Sequence, residues 1–76
     1  MEITGPIKSV EFKTEEGIHY KMELNKDSVY YYKNEELVTV REVGLDYDTN
    51  ELYKLGSNIA EKYNVPQGRI KITYSK

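Results

Sequence analysis

The sequence predicts a single α+β domain over residues 1–76, a mainly antiparallel sheet in the order ββββαβ with one helix packed on one face. Three observations carry that prediction. Up to Val43 apolar residues alternate with polar ones, the period-two signature of strands that bury one face. After Gly44 the period lengthens to nearly four, and Leu52, Leu55, Ile59 and Tyr63 fall on one side of a helix. From Ile70 the alternation returns, with Ile72 and Tyr74 continuing it toward the core.

The first strand covers residues 7–14, with Val10 and Phe12 on one face and Ser9, Glu11 and Lys13 on the other; Gly5 and Pro6 set its start. Glu15, Glu16 and Gly17 form a hairpin turn in which Gly17 is free to take a positive φ. In the second strand Ile18, Tyr20, Met22 and Leu24 alternate with His19, Lys21, Glu23 and Asn25, one set for the core and one for solvent. Turn chemistry at residues 25–28 leads into a third strand, Val29-Tyr30-Tyr31-Tyr32-Lys33, which ends at Asn34-Glu35-Glu36. A fourth strand occupies residues 37–43. Its pattern favours Val38 and Val40 inward, with Leu37, Thr39 and Arg41 outward, although Leu37 and Val43 also fit the opposite register. Asp48 caps a helix over residues 49–63, with Glu51 three residues on completing a capping box and suiting the positive end of the helix dipole. Gly56 and Ala60 let the helix approach the sheet closely, and Asn64 takes the left-handed capping position before Pro66. Gln67 and Gly68 turn the chain into the last strand, expected beside the first and parallel to one neighbour because a helical crossover permits that pairing.

Composition excludes several classes of function. The chain has no cysteine, which removes disulfides and thiolate metal sites and makes a reducing cytoplasm the expected compartment. No apolar run approaches the length of a membrane span or a signal-peptide core, so a membrane is not an expected partner. Thirteen acidic against eleven basic residues give a net charge of -2 with the signs mixed along the chain, neither the basic footprint of a duplex-DNA binder nor an acidic imitation of DNA.

Candidates for chemistry are few. His19 lies on the outward face of the second strand, beside Lys21 and within cross-strand reach of Glu11 or Lys13. It has no cysteine partner and no serine nucleophile motif, and one imidazole falls short of the four N or S ligands of structural zinc. Asp46, Asp48 and Asn50 alternate as calcium ligands do, without the glycine and bidentate glutamate of that loop. The glycines stand singly, which leaves no phosphate cradle. The expectation is a non-enzyme with no cofactor and no metal.

The tyrosines are the informative residues. Tyr20, Tyr63 and Tyr74 fall on core faces, and Tyr47 and Tyr53 flank the helix start. Successive strand side chains point to opposite faces, so Tyr30, Tyr31 and Tyr32 cannot all enter one core: either the middle ring or the outer two face away from the helix. An outward tyrosine presents a rigid apolar ring with a hydroxyl at its tip, the chemistry that interaction surfaces favour. Tyr30, Tyr31 and Tyr32, ringed by Lys21, Lys33 and Arg41, are therefore the candidate binding residues, together with His19.

The expected function is a non-enzymatic protein-interaction module, a small inhibitor or antagonist of the phage or mobile-element type, which masks a partner protein through this face or an edge strand. The alternative is a nucleotide-like ligand or single-stranded nucleic acid stacked on the rings, with basic groups on its phosphates. Glu11, Glu23 and Glu42, expected on the same face, count against it. Exposed tyrosines and an edge only partly guarded by Lys8, Lys13, Lys33 or Lys71 also lead to an expected symmetric homodimer.

Overall fold

Three successive hairpins build most of the sheet. In the computed structural model, which describes residues 7–74, these join β1 (Ile7–Lys13), β2 (His19–Asn25), β3 (Ser28–Lys33) and β4 (Glu36–Glu42). The chain continues through α1 (Thr49–Lys62) and a 3-10 turn (Gln67–Arg69) to β5 (Lys71–Tyr74). The strand order is β4-β3-β2-β1-β5, every pair antiparallel, with α1 on one face, so the α+β class is as predicted. Gly5 and Pro6, expected to set the start of the first strand, lie outside the described residues.

The turns have local causes. Gly17 sits at φ +86° while its N–H donates to the Thr14 carbonyl at 2.9 Å, and the Thr14 hydroxyl accepts from the Ile18 N–H at 3.2 Å. Asn34 and Glu35 both have positive φ, 52° and 70°, as a two-residue hairpin loop closing Lys33 onto Glu36 requires. Asn34 also ties this loop back to β2: its N–H donates to the His19 carbonyl at 2.7 Å and its Oδ1 accepts from the His19 N–H at 3.0 Å.

Two expectations about strands need correction. β5 pairs with β1 antiparallel, not parallel. Each hairpin reverses the chain, so β4 already runs opposite to β1. The crossover through α1 returns the chain in the direction of β4, which makes β5 antiparallel to β1 at the far edge. In β4, Val40 lies opposite Tyr30 and therefore faces outward, whereas Thr39 lies opposite Tyr31 and Arg41 opposite Val29, toward the helix. A bulge between these pairs and Tyr32↔Leu37 leaves Val38 as the extra residue, lining the helix side together with Thr39. Val43 packs against the core, as the other register implied. No β4 residue is buried: Leu37 is 52%, Val38 63% and Val40 46% exposed.

The core gathers Val10, Phe12, Met22 and Val29 from the sheet with Leu52, Ala60 and Val65. The buried row of α1 is Leu52, Gly56 and Ala60, four residues apart, while Leu55 and Ile59 are half-buried flanks and Tyr63, expected in the core, is 43% exposed. The smallest side chains set the line of contact. A β-carbon on Gly56 would lie 2.5 Å from Cγ1 and 3.1 Å from Cβ of Val10, so the backbone of α1 rests directly on β1. Asp48 caps the helix, its side chain accepting from the Asn50 N–H at 3.0 Å, but Glu51 pairs with Lys54 at 3.5 Å rather than closing a capping box. At the other end Asn64, at φ 59°, and the Val65 N–H donating to the Ala60 carbonyl at 2.9 Å terminate the helix.

Candidate interaction face

The pleat of β3 decides which tyrosines face outward. Tyr31 lies opposite Met22 and packs against the core, so Tyr30 and Tyr32 are the pair that face away from α1. Tyr30 stands between Glu23 of β2 and Val40 of β4, and Tyr32 between Lys21 of β2 and Leu37 of β4. Tyr30, Tyr32, Leu37 and Val40 thus occupy two adjoining rows on the outer face. The rings are half-buried and the two aliphatic side chains about half exposed.

Beside this apolar group the face becomes ionic. A row of alternating charge crosses the sheet from Lys71 through Glu11 to Lys21, then meets Tyr32. His19 lies diagonally across from Glu11, with Nε2 2.7 Å from Oε1, so the carboxylate fixes the orientation of the imidazole. Glu11, His19, Lys21, Glu23, Tyr32 and Glu35 line a shallow hollow of about 380 Å³. Glu42 is opposite Ser28 on the same face, so the three carboxylates expected there are there.

Of the sequence-derived binding residues, the structure brings Tyr30, Tyr32, Lys21 and His19 to one face. Tyr31, Lys33 and Arg41 lie on the other, where Lys33 is opposite Tyr20 and Arg41 opposite Val29. The expected ring of cations around the tyrosines is therefore divided between two faces. Leu37 and Val40 belong to the outer group and were not among the candidates. Leu37 was within reach of sequence reasoning, because a two-residue loop at Asn34-Glu35 places it opposite Tyr32; Val40 required the bulge.

On the helix side α1 packs chiefly over β1 and β2. Beyond it Met22, Tyr31, Val38, Thr39 and Ile59 line an apolar groove of about 300 Å³. Nearby, Tyr20 stacks on Tyr63 with centroids 5.2 Å apart and planes 21° apart, its hydroxyl donating to the Tyr63 oxygen at 3.3 Å. That hydrogen bond, with some burial, raises the Tyr20 pKa; burial, then the neighbouring Tyr31 phenol, raises that of Tyr47. Both shifts favour the neutral phenol in the folded state. Their contribution to stability is fully present below the unfolded value of 10.0 and is lost as pH rises through the folded values. Titration of tyrosinate absorbance is expected to show two late phenols, and Tyr47→Phe to remove one of them and to make the fold less sensitive to alkaline pH. Ionisation of all eight tyrosines in one step near 10 contradicts this.

Chemically the face is suited to contact. The His19–Glu11 pair orients an imidazole toward a hollow whose other walls are Lys21, Tyr32 and carboxylates. Among the described residues no three His, Cys, Asp or Glu side chains stand together to hold a metal ion, and no helix is long and apolar enough to cross a membrane. Comparison with known proteins returns no match to a family model, a curated protein or a solved structure.

Proposed function

We propose that the chain is a non-enzymatic protein-interaction module that masks a partner protein with the outer face of its sheet. The observation that carries this reading is the grouping of Tyr30, Tyr32, Leu37 and Val40 on a face that α1 does not cover. Rigid aromatic rings flanked by aliphatic side chains and bordered by mixed charge are the usual composition of a contact surface with a desolvated centre and polar rim. A phosphate-bearing ligand fits less well, since Lys33 and Arg41 point to the opposite side and Glu11, Glu23 and Glu42 share the face with the tyrosines.

Affinity capture with the purified protein tests the reading. The wild type is expected to retain a specific partner protein, Tyr30→Ser/Tyr32→Ser to lose it with the fold intact by circular dichroism, and Lys54→Ser on the exposed side of α1 to keep it. Tyrosine fluorescence is expected to stay unchanged on titration with single-stranded DNA, RNA or mononucleotides. Capture that ignores the double substitution, or a salt-sensitive response to a nucleic acid, overturns the proposal.

A further inference from the structure

Among the described residues the outer edge of β4 has no strand beside it, and its seven residues include neither lysine nor proline, two common guards against edge pairing. The bulge gives this edge an unusual pattern of faces. Glu36, opposite Lys33, and Arg41, opposite Val29, lie on the helix side with Val38 and Thr39; Leu37 and Val40 lie on the outer side. From Glu36 to Arg41 the faces read the same in both directions, with the centre between Val38 and Thr39.

We propose that β4 pairs antiparallel with β4 of a second copy about a two-fold axis through that centre, joining two sheets into one. In this register Glu36 faces the partner's Arg41 on the helix side, Leu37 faces the partner's Val40 on the outer side, and Val38 faces the partner's Thr39. Opposite charges meet twice and aliphatic pairs meet twice. Neighbouring registers fail: centring on Thr39 sets Glu36 against the partner's Glu42 and outward Leu37 against inward Arg41, while centring on Val38 sets outward Val40 against inward Glu36.

The backbone phase agrees. Lys33 and Glu36 close the two-residue loop as a hydrogen-bonded pair, so alternation, with one residue inserted at the bulge, turns the N–H and C=O groups of Leu37 and Val40 away from β3. These are the residues that face each other across the axis. A bulge ordinarily spoils an edge for a regular strand, but a second copy brings the matching bulge. One strand pair is a small contact, so the dimer is weak and concentration-dependent. The pairing shares Leu37 and Val40 with the tyrosine face and sets two such faces side by side, while the Glu36–Arg41 pairs that test it lie on the opposite side.

Analytical ultracentrifugation from dilute to millimolar protein tests the register. The wild type is expected to dimerise reversibly. Glu36→Arg and Arg41→Glu, both at exposed positions, are each expected to keep the fold by circular dichroism and to weaken self-association roughly tenfold or more, because like charges then meet twice. An equimolar mixture of the two variants is expected to recover wild-type association, since in the mixed dimer each cation again faces an anion. A wild type that stays monomeric, a single variant that dimerises as tightly as the wild type, or a mixture that fails to associate overturns the proposal.

Discussion

Leu52→Ala is expected to lower the stability of the fold by about 2 to 5 kcal/mol, the usual cost of deleting a fully buried leucine side chain and leaving part of its volume empty. Leu52 has no exposed surface and is the largest residue that α1 contributes to the buried core. Stabilities of small domains are only about 5 to 15 kcal/mol, so this one change removes a large share of the total. Urea denaturation is expected to show a lower midpoint at a nearly unchanged slope. Leu55→Ala and Ile59→Ala, at half-buried flanks, are expected to cost less. A larger loss at Leu55 than at Leu52 means that α1 is rotated from the orientation described.

Gly56→Val is expected to cost about 1 to 3 kcal/mol or more, by overpacking rather than by leaving a cavity. The first added carbon would meet Val10 Cγ1 at 2.5 Å, and Val10 is fully buried and β-branched, with little freedom to rotate away. Helix propensity works in the opposite direction: Gly56→Ala alone gains about 1 kcal/mol in an exposed helix. A net loss for Gly56→Ala in thermal denaturation therefore reports the contact itself. Val10→Ala/Gly56→Ala is expected to be less destabilised than the two single changes added together, because the shortened side chain at position 10 admits the new methyl. A higher Tm for Gly56→Ala sinks the account.

Much of this fold was legible because local signals and burial agree along β1, β2 and α1. Val10, Phe12, Tyr20, Met22 and Leu24 alternate over a covered sheet, and Asp48 and Asn64 mark the helix ends. Legibility failed where a property depends on something other than period. The row Leu52–Gly56–Ala60 wins the helix contact because small residues permit the closest approach, whereas a search for large apolar residues selects Leu55, Ile59 and Tyr63. In β4 the alternation has little burial to anchor it, and one inserted residue at Val38 exchanges the faces of everything after it. The candidate site inherits that limit. Tyr30 and Tyr32 were legible as one of two outward sets, but their neighbours Val40 and Arg41 changed sides with the bulge. The direction of β5 was decided by the parity of three hairpins, which no residue within β5 records.

The unequal cover that α1 gives the sheet also divides the molecule energetically. Detaching β4 breaks one ladder and exposes little apolar surface that water does not already reach, whereas opening β1 or β2 uncovers Val10, Phe12 and Met22. β4 is therefore a sub-global unit whose opening free energy is expected to lie below that of complete unfolding, with amides that exchange with solvent without passing through the denatured state. Any partner that seats on β4 closes this excursion, and part of its binding energy goes into holding the strand in place.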